Sequence, residues 1–293
     1  VVPPGMAPVL PYRWVLPLSE EGSPLEHQDW KPAERPEQIM LFEIDARAGF
    51  DQPARITNTI IRRGIEGLQQ EVQFSALTAA QLRSSFSQQM VGSTWQTIEN
   101  VKWHYDQKAQ ASVLTISGMG TVDWKDDEDK DGVKSLALPG GGFNPPERRV
   151  RAAEQDQNLP YYNKPDYSCR VTTVRLPSTT RQGQWSHNAD IDTQMFGRNY
   201  YRAFAIRDGA LRMVRGSRIE QTEVDAATAR RDNDRIPSFD NSMAWITYNP
   251  SGQKAIDRES SPVPATYEID WTADSVPCLP ATARDRPAGA GGS

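Results

Sequence analysis

Histidine, cysteine and surplus positive charge are all scarce in this chain, and each shortage excludes a class of function. Its 293 residues hold three histidines and two cysteines. His27 and His104 have no ligand-spaced partner, so the sequence gives a zinc site no support. Lysine and arginine (33) are outnumbered by aspartate and glutamate (38), giving a net charge of −5 and no overall basic field for nucleic acid. Nothing approaches the ~18 consecutive apolar residues a membrane-spanning helix needs. The opening, Val1–Ser19, is apolar but carries five prolines, no basic leader and no small-residue cleavage site, so it does not read as a signal peptide. It also lacks an initiator Met, which suggests a fragment or a processed chain. No stretch calls for a cofactor.

What is present is enough apolar and aromatic material for sizeable cores: 37% hydrophobic residues, with eight Trp, nine Tyr and eight Phe. The length suits about two domains at roughly 100–200 residues each. Cys169 and Cys278 fit one disulfide in an oxidising compartment and equally two buried thiols in a reducing one.

Periodicity points to a mainly β chain of two β-sandwich-like units, each with one short helix. Residues 1–36 hold eight prolines and read as an extended lead-in. The first unit, 37–146, opens with the alternating "IMLFEID" (39–45) and continues through "RITNTIIRR" (55–63) and "LQQEVQF" (68–74), all read as strands. Thr78 with Gln81 forms a capping box before a helix marked by Leu82, Phe86 and Met90, which Gly92 ends. Two more strands flank "DQKAQA" (106–111). Residues 147–160 read as a polar linker. The second unit, 161–250, has strands in "SCRVTTVRLP", "QWSHNADI", "NYYRAFAI" and "ALRMVRGSRI", with Asp208-Gly209 as a hairpin turn. Asp225 caps a helix that stops ahead of Pro237. Residues 251–293 read as an irregular, disordered tail.

Four groups of residues invite a chemical reading. Asp127, Asp129, Asp131 and Gly132 begin like an EF-hand calcium loop. The twelfth position, which should be a bidentate Glu, is Leu138, and strand-like sequence flanks the loop. A charged hairpin tip is the expectation, with no metal. "LPGGGFNPP" (138–146) lacks the spacing of a phosphate loop, and Pro145-Pro146 disfavours a helix opening there. Cys169, His187 and Asp190 stand in the order of a Cys–His–Asp triad, but "RVTTVRL" puts Cys169 on a strand rather than at a helix N-terminus. Tyr161-Tyr162 and Tyr200-Tyr201 could stack on sugar rings, though neighbours on a strand face opposite ways, so one of each pair belongs to the core.

"FEIDARAGFDQPA", "ISGMGTVDW", "LALPGGGFNPPE", "EQDQNLPYY", "CRVTTVRLP" and "ATARRDNDRIPSFDNSM" together resemble the C-terminal β-rich region of bacterial exported transglutaminase-like proteins, those with an N-terminal β-rich domain of unknown function. The likeness spans most of residues 12–248. It implies a non-catalytic region that packs against, or presents substrate to, a transglutaminase-like or cysteine-protease-like core preceding residue 1. No catalytic residue transfers, because no stretch here matches that core. An exported, periplasmic setting follows from the resemblance and allows a Cys169–Cys278 disulfide. Two other roles remain open at this point: an independent glycan- or peptide-binding module, and a calcium-dependent structural domain.

Overall fold

The computed structural model describes residues 12–92, 94–187, 190–239 and 243–252, together with Trp271 and Cys278. The reading of 251–293 as disordered therefore lies almost wholly outside the described residues. A short ribbon pairs β1 (Trp14–Val15) with β2 (Glu26–His27). The first block then supplies β3 (Gln38–Asp45), β4 (Ala54–Arg63), α1 (Gly64–Ser75), α2 (Ala79–Met90), β5 (Trp95–Asp106) and β6 (Ala111–Gly120). β7 (Lys125–Asp126) and β8 (Lys134–Ala137) enclose the acidic turn. The second block supplies β9 (Tyr161–Tyr162), β10 (Tyr167–Arg175), β11 (Trp185–His187), β12 (Ile191–Met195), β13 (Arg198–Arg207), β14 (Ala210–Ile219), β15 (Glu223–Val224), α3 (Ala226–Arg235) and β16 (Trp245–Tyr248).

The fold is mainly β. Its centre is an eight-stranded sheet in the order β12-β13-β14-β10-β3-β4-β6-β5. The two strand-rich blocks meet inside this sheet, where β3 and β10 pair in parallel from Gln38 opposite Ser168 to Asp45 opposite Arg175. All other pairings in it are antiparallel. Because side chains alternate along a strand, each register fixes two faces. One face carries Phe42, Ile56, Ile116, Phe204 and Met213 in the largest core. It is covered by α1 and α2 near β5 and β6, and by Leu136, Trp185 and Ile246 of a four-stranded sheet, β11-β16-β8-β7. The other face carries Ile39, Ile61, Val113, Cys169 and Val214, and Cys278 and Trp271 pack on it.

Residues 68–74 are a helix, not the expected strand, so the described residues hold three α-helices, two of them in the first block. The alternation in "LQQEVQF" is real but incidental. Glu66, Leu68, Gln69, Gln70 and Glu71 are good helix formers, and the buried positions Gly67 and Phe74 lie seven apart on one helical face. "QWSHNADI" divides between β11 and β12, which belong to different sheets. The capping box at Thr78 and the Asp225 cap stand where the sequence puts them.

Gly118 in "ISGMG" answers to close packing. β5 is bulged between Ile98 and Asn100, which presses its backbone onto β6, and a Cβ at Gly118 would lie 2.0 Å from the Thr97 carbonyl oxygen.

Residues 147–160 have no helix or strand, yet they are fastened to the second block. Asn233 bonds the Arg149 backbone and the Arg149 guanidinium donates to Asn163 Oδ1 at 2.8 Å, while within the segment Arg151 donates to the carbonyls of Leu159 and Pro160. The buried Asp232 carboxylate accepts the Phe196 backbone N–H at 2.7 Å. The "RRDND" stretch thus ties α3 to the sheet end and to the chain ahead of β9.

Candidate functional site

The acidic stretch is the connection of the β7–β8 hairpin. Asp127 N–H donates to the Val133 carbonyl, and Asp127 Oδ1 accepts the Asp129 N–H at 3.1 Å. Lysines neutralise the turn: Lys130 sits 3.3 Å from Asp127 Oδ2, and Lys134 reaches Asp126. Leu138 is fully buried in the main core. Among the described residues, no three His, Cys, Asp or Glu side chains gather as a metal site would require.

"LPGGG" does the opposite of a phosphate loop, in which backbone N–H groups face the ligand. Here its carbonyls face arginines: Arg215 Nη1 donates to the Gly140 carbonyl at 3.0 Å and Arg202 Nη1 to the Gly141 carbonyl at 2.8 Å. Gly140 has φ +68°, which favours glycine, and a Cβ there would lie 1.7 Å from Arg170 Nη1 and displace that side chain. The arginines stand in one row across the sheet, Arg202 opposite Arg215 and Arg215 opposite Arg170. Burial, and then the charges of Arg170 and Arg202, push the Arg215 guanidinium down to about 10; burial alone lowers Arg170.

Cys169, His187 and Asp190 are not assembled. Cys169 is bonded to Cys278 with Cα atoms 5.5 Å apart, on one face of the large sheet. The His187 ring stacks on Phe204, which belongs to the opposite face, at 4.6 Å between centroids. His27 lies edge-on to Trp14 on the ribbon, and His104 is on β5. Of the tyrosine pairs, Tyr200 and Tyr201 are both buried, and Tyr201 is pushed up to about 12 by desolvation. Arg151 covers the Tyr161 ring at 3.8 Å, which leaves Tyr162 as the exposed member of that pair.

Two features escaped the sequence reading. One is the row of strand arginines. The other is the described part of the lead-in, 12–36, which turns large apolar side chains outward. Tyr12, Trp14, Leu16 and Leu18 point to solvent, Leu18 at 97% exposure, whereas Arg13 points inward. The Arg13 guanidinium lies 5.2 Å from the Trp30 ring and 4.9 Å from the Tyr162 ring, and pairs with Glu223 at 3.5 Å. Exposure alternates from Tyr12 to Leu18, but Val15 and Pro17 are apolar as well, so the sequence does not show which side meets the body. A cavity of about 530 Å³ is lined by charged and apolar residues alike, among them Arg149, Asp166, Arg198, Met195 and Phe196.

No protein-family model, curated protein or solved structure matches the chain.

Proposed function

We propose that this is a non-catalytic β-rich region that docks, through its inside-out lead-in, onto a transglutaminase-like core of the same parent protein. The partner and the periplasmic setting rest on the sequence resemblance. The docking mode rests on one observation: four successive outward positions, Tyr12, Trp14, Leu16 and Leu18, are large and apolar, and Leu25 adds a fifth on the return. Contiguous exposed apolar surface of this kind marks a site that another protein surface covers. The inward Arg13, held between two aromatic rings and Glu223, gives the ribbon a fixed seat from which to present that surface. A glycan-binding reading is weaker, since Trp14 leans edge-on against His27 at 4.8 Å and 63° rather than offering a flat platform in a groove.

The test uses the chain and the separately produced transglutaminase-like segment of its parent. Calorimetry should give a saturable complex, with affinity at least tenfold weaker for Trp14→Ser/Leu18→Ser. Absence of any complex, or unchanged affinity in that variant, would sink the docking reading.

A further inference from the structure

Between β3, β10 and β14 lies a cavity of about 190 Å³ whose chemistry is one-sided. Its side-chain lining includes Gln38, Ser168, Arg170, Arg215 and Ser217. By the registers, Gln38, Ser168 and Ser217 stand in one row of the sheet and Met40, Arg170 and Arg215 in the next, two residues along each strand and therefore on the same face. No lining residue carries a negative charge.

The two guanidiniums are poorly compensated. Like charges directly opposite one another on paired strands are destabilising, and partial burial sharpens the repulsion. Arg170 makes no hydrogen bond or ion pair among the described residues. Arg215 spends Nη1 on the Gly140 carbonyl and lies 4.2 Å from the Phe143 ring, but its buried Nε has no acceptor. No carboxylate of the described residues is within ion-pair reach of either. Of the carboxylates that line the larger cavity, Glu37, Glu147 and Asp166, the last is already bonded to Arg198 at 2.7 Å. Arg198 also donates to Ser217 Oγ at 2.8 Å, which leaves the Ser217 hydroxyl proton free to point elsewhere.

We propose that this cavity binds a small doubly charged oxyanion of the phosphate or sulfate class, held between Arg170 and Arg215. Guanidinium forks match the spacing of such oxygens and bind them bidentately. Ser168, Ser217 and the Gln38 amide supply further donors. At about 30 Å³ per water, the volume exceeds what one or two waters fill and is ample for a tetrahedral anion. The site neither uses the lead-in ribbon nor depends on a partner core.

The test is calorimetric titration of the intact chain with sodium phosphate, sodium sulfate and, as an organic ester, phenyl phosphate, against sodium chloride at matched ionic strength. Anion concentrations stay in the low millimolar range, because phosphate and sulfate also stabilise proteins non-specifically at high concentration. Saturable binding of at least one oxyanion, absent with chloride, is expected; tighter binding of the ester would identify an anion-bearing molecule rather than the free ion. Arg170→Met should weaken binding at least tenfold while leaving the anion-free melting temperature unchanged or higher, since it removes a repelled charge. Arg170→Lys, which keeps the charge but not the fork, should weaken it several-fold and serves if the Met variant does not fold. No saturable heat for any oxyanion with the wild-type chain, or full affinity in both variants, overturns the proposal.

Discussion

The side-chain amide of Asn233 satisfies both backbone groups of Arg149: its Nδ2 donates to the Arg149 carbonyl and its Oδ1 accepts the Arg149 N–H, each at 2.8 Å. Asn233 in effect replaces a strand neighbour for a segment that has none. Asn233→Ala removes both bonds and leaves two partly buried backbone groups without their partner. At about 1 kcal/mol net per bond, the variant should lose about 1–2 kcal/mol. Urea denaturation measures it directly, and a loss below about 0.5 kcal/mol would mean that the clamp is ornamental.

The disulfide carries the second prediction. Cys169 and Cys278 are 109 positions apart, and closing a loop of about 100 residues is worth up to about 4.7 kcal/mol on the chain-entropy model. Reduction, or Cys278→Ser, should therefore lower the melting temperature by several degrees. Iodoacetamide at mildly acidic pH should label neither cysteine on the oxidised folded chain. Rapid stoichiometric labelling of Cys169 would instead reveal an activated thiol and end the non-catalytic reading.

Local signals were legible in proportion to how locally they are decided. The Thr78 and Asp225 caps, the Asp208-Gly209 turn and the strands at 39–45, 55–63 and 210–219 all follow from side chains within a few positions of one another. Residues 68–74 misled, because helix and strand templates both fit seven residues and the sheet contacts of Gly67 and Phe74 decide between them. The parallel pairing of β3 with β10 joins residues about 130 apart, and no local pattern encodes it. The same is true of the arginine row. "CRVTTVRL", "NYYRAFAIR" and "ALRMVRGSR" each display strand arginines, but only the register brings Arg170, Arg215 and Arg202 into line.

Buried phenols work against the fold at alkaline pH, and burial raises three of them, Tyr167, Tyr200 and Tyr201. Tyr167 and Tyr201 are almost wholly enclosed, and desolvation pushes each from 10.0 up to about 12. A folded-state pKa above the unfolded value means that stability is fully present below pH 10 and is lost as the pH rises through 12. Melting temperature should thus hold below pH 10 and fall between 10 and 12, a fall partly offset by Arg215, whose pKa of about 10 lets the folded chain shed that charge over the same range. Tyr201→Phe should make that fall shallower, and phenolate absorbance should show late titration of the buried tyrosines in the wild-type chain. Equal slopes for the two proteins would contradict the assignment.

The acidic hairpin tip should bind calcium weakly or not at all. An EF-hand-like loop needs its carboxylates free to converge and a bidentate Glu at the twelfth position. Here Asp127 is turned into its own loop, accepting the Asp129 N–H and pairing with Lys130, while Asp126 pairs with Lys134. The twelfth position is Leu138, whose side chain has no oxygen to offer and is fully buried in the main core. Calcium binding would have to break the lysine pairs and still lack two of its oxygen ligands. Calorimetric titration should show no saturable heat below millimolar calcium, and melting temperature should be the same with calcium and with chelator. A micromolar site that Asp129→Ala abolishes would restore the calcium-dependent reading of this chain.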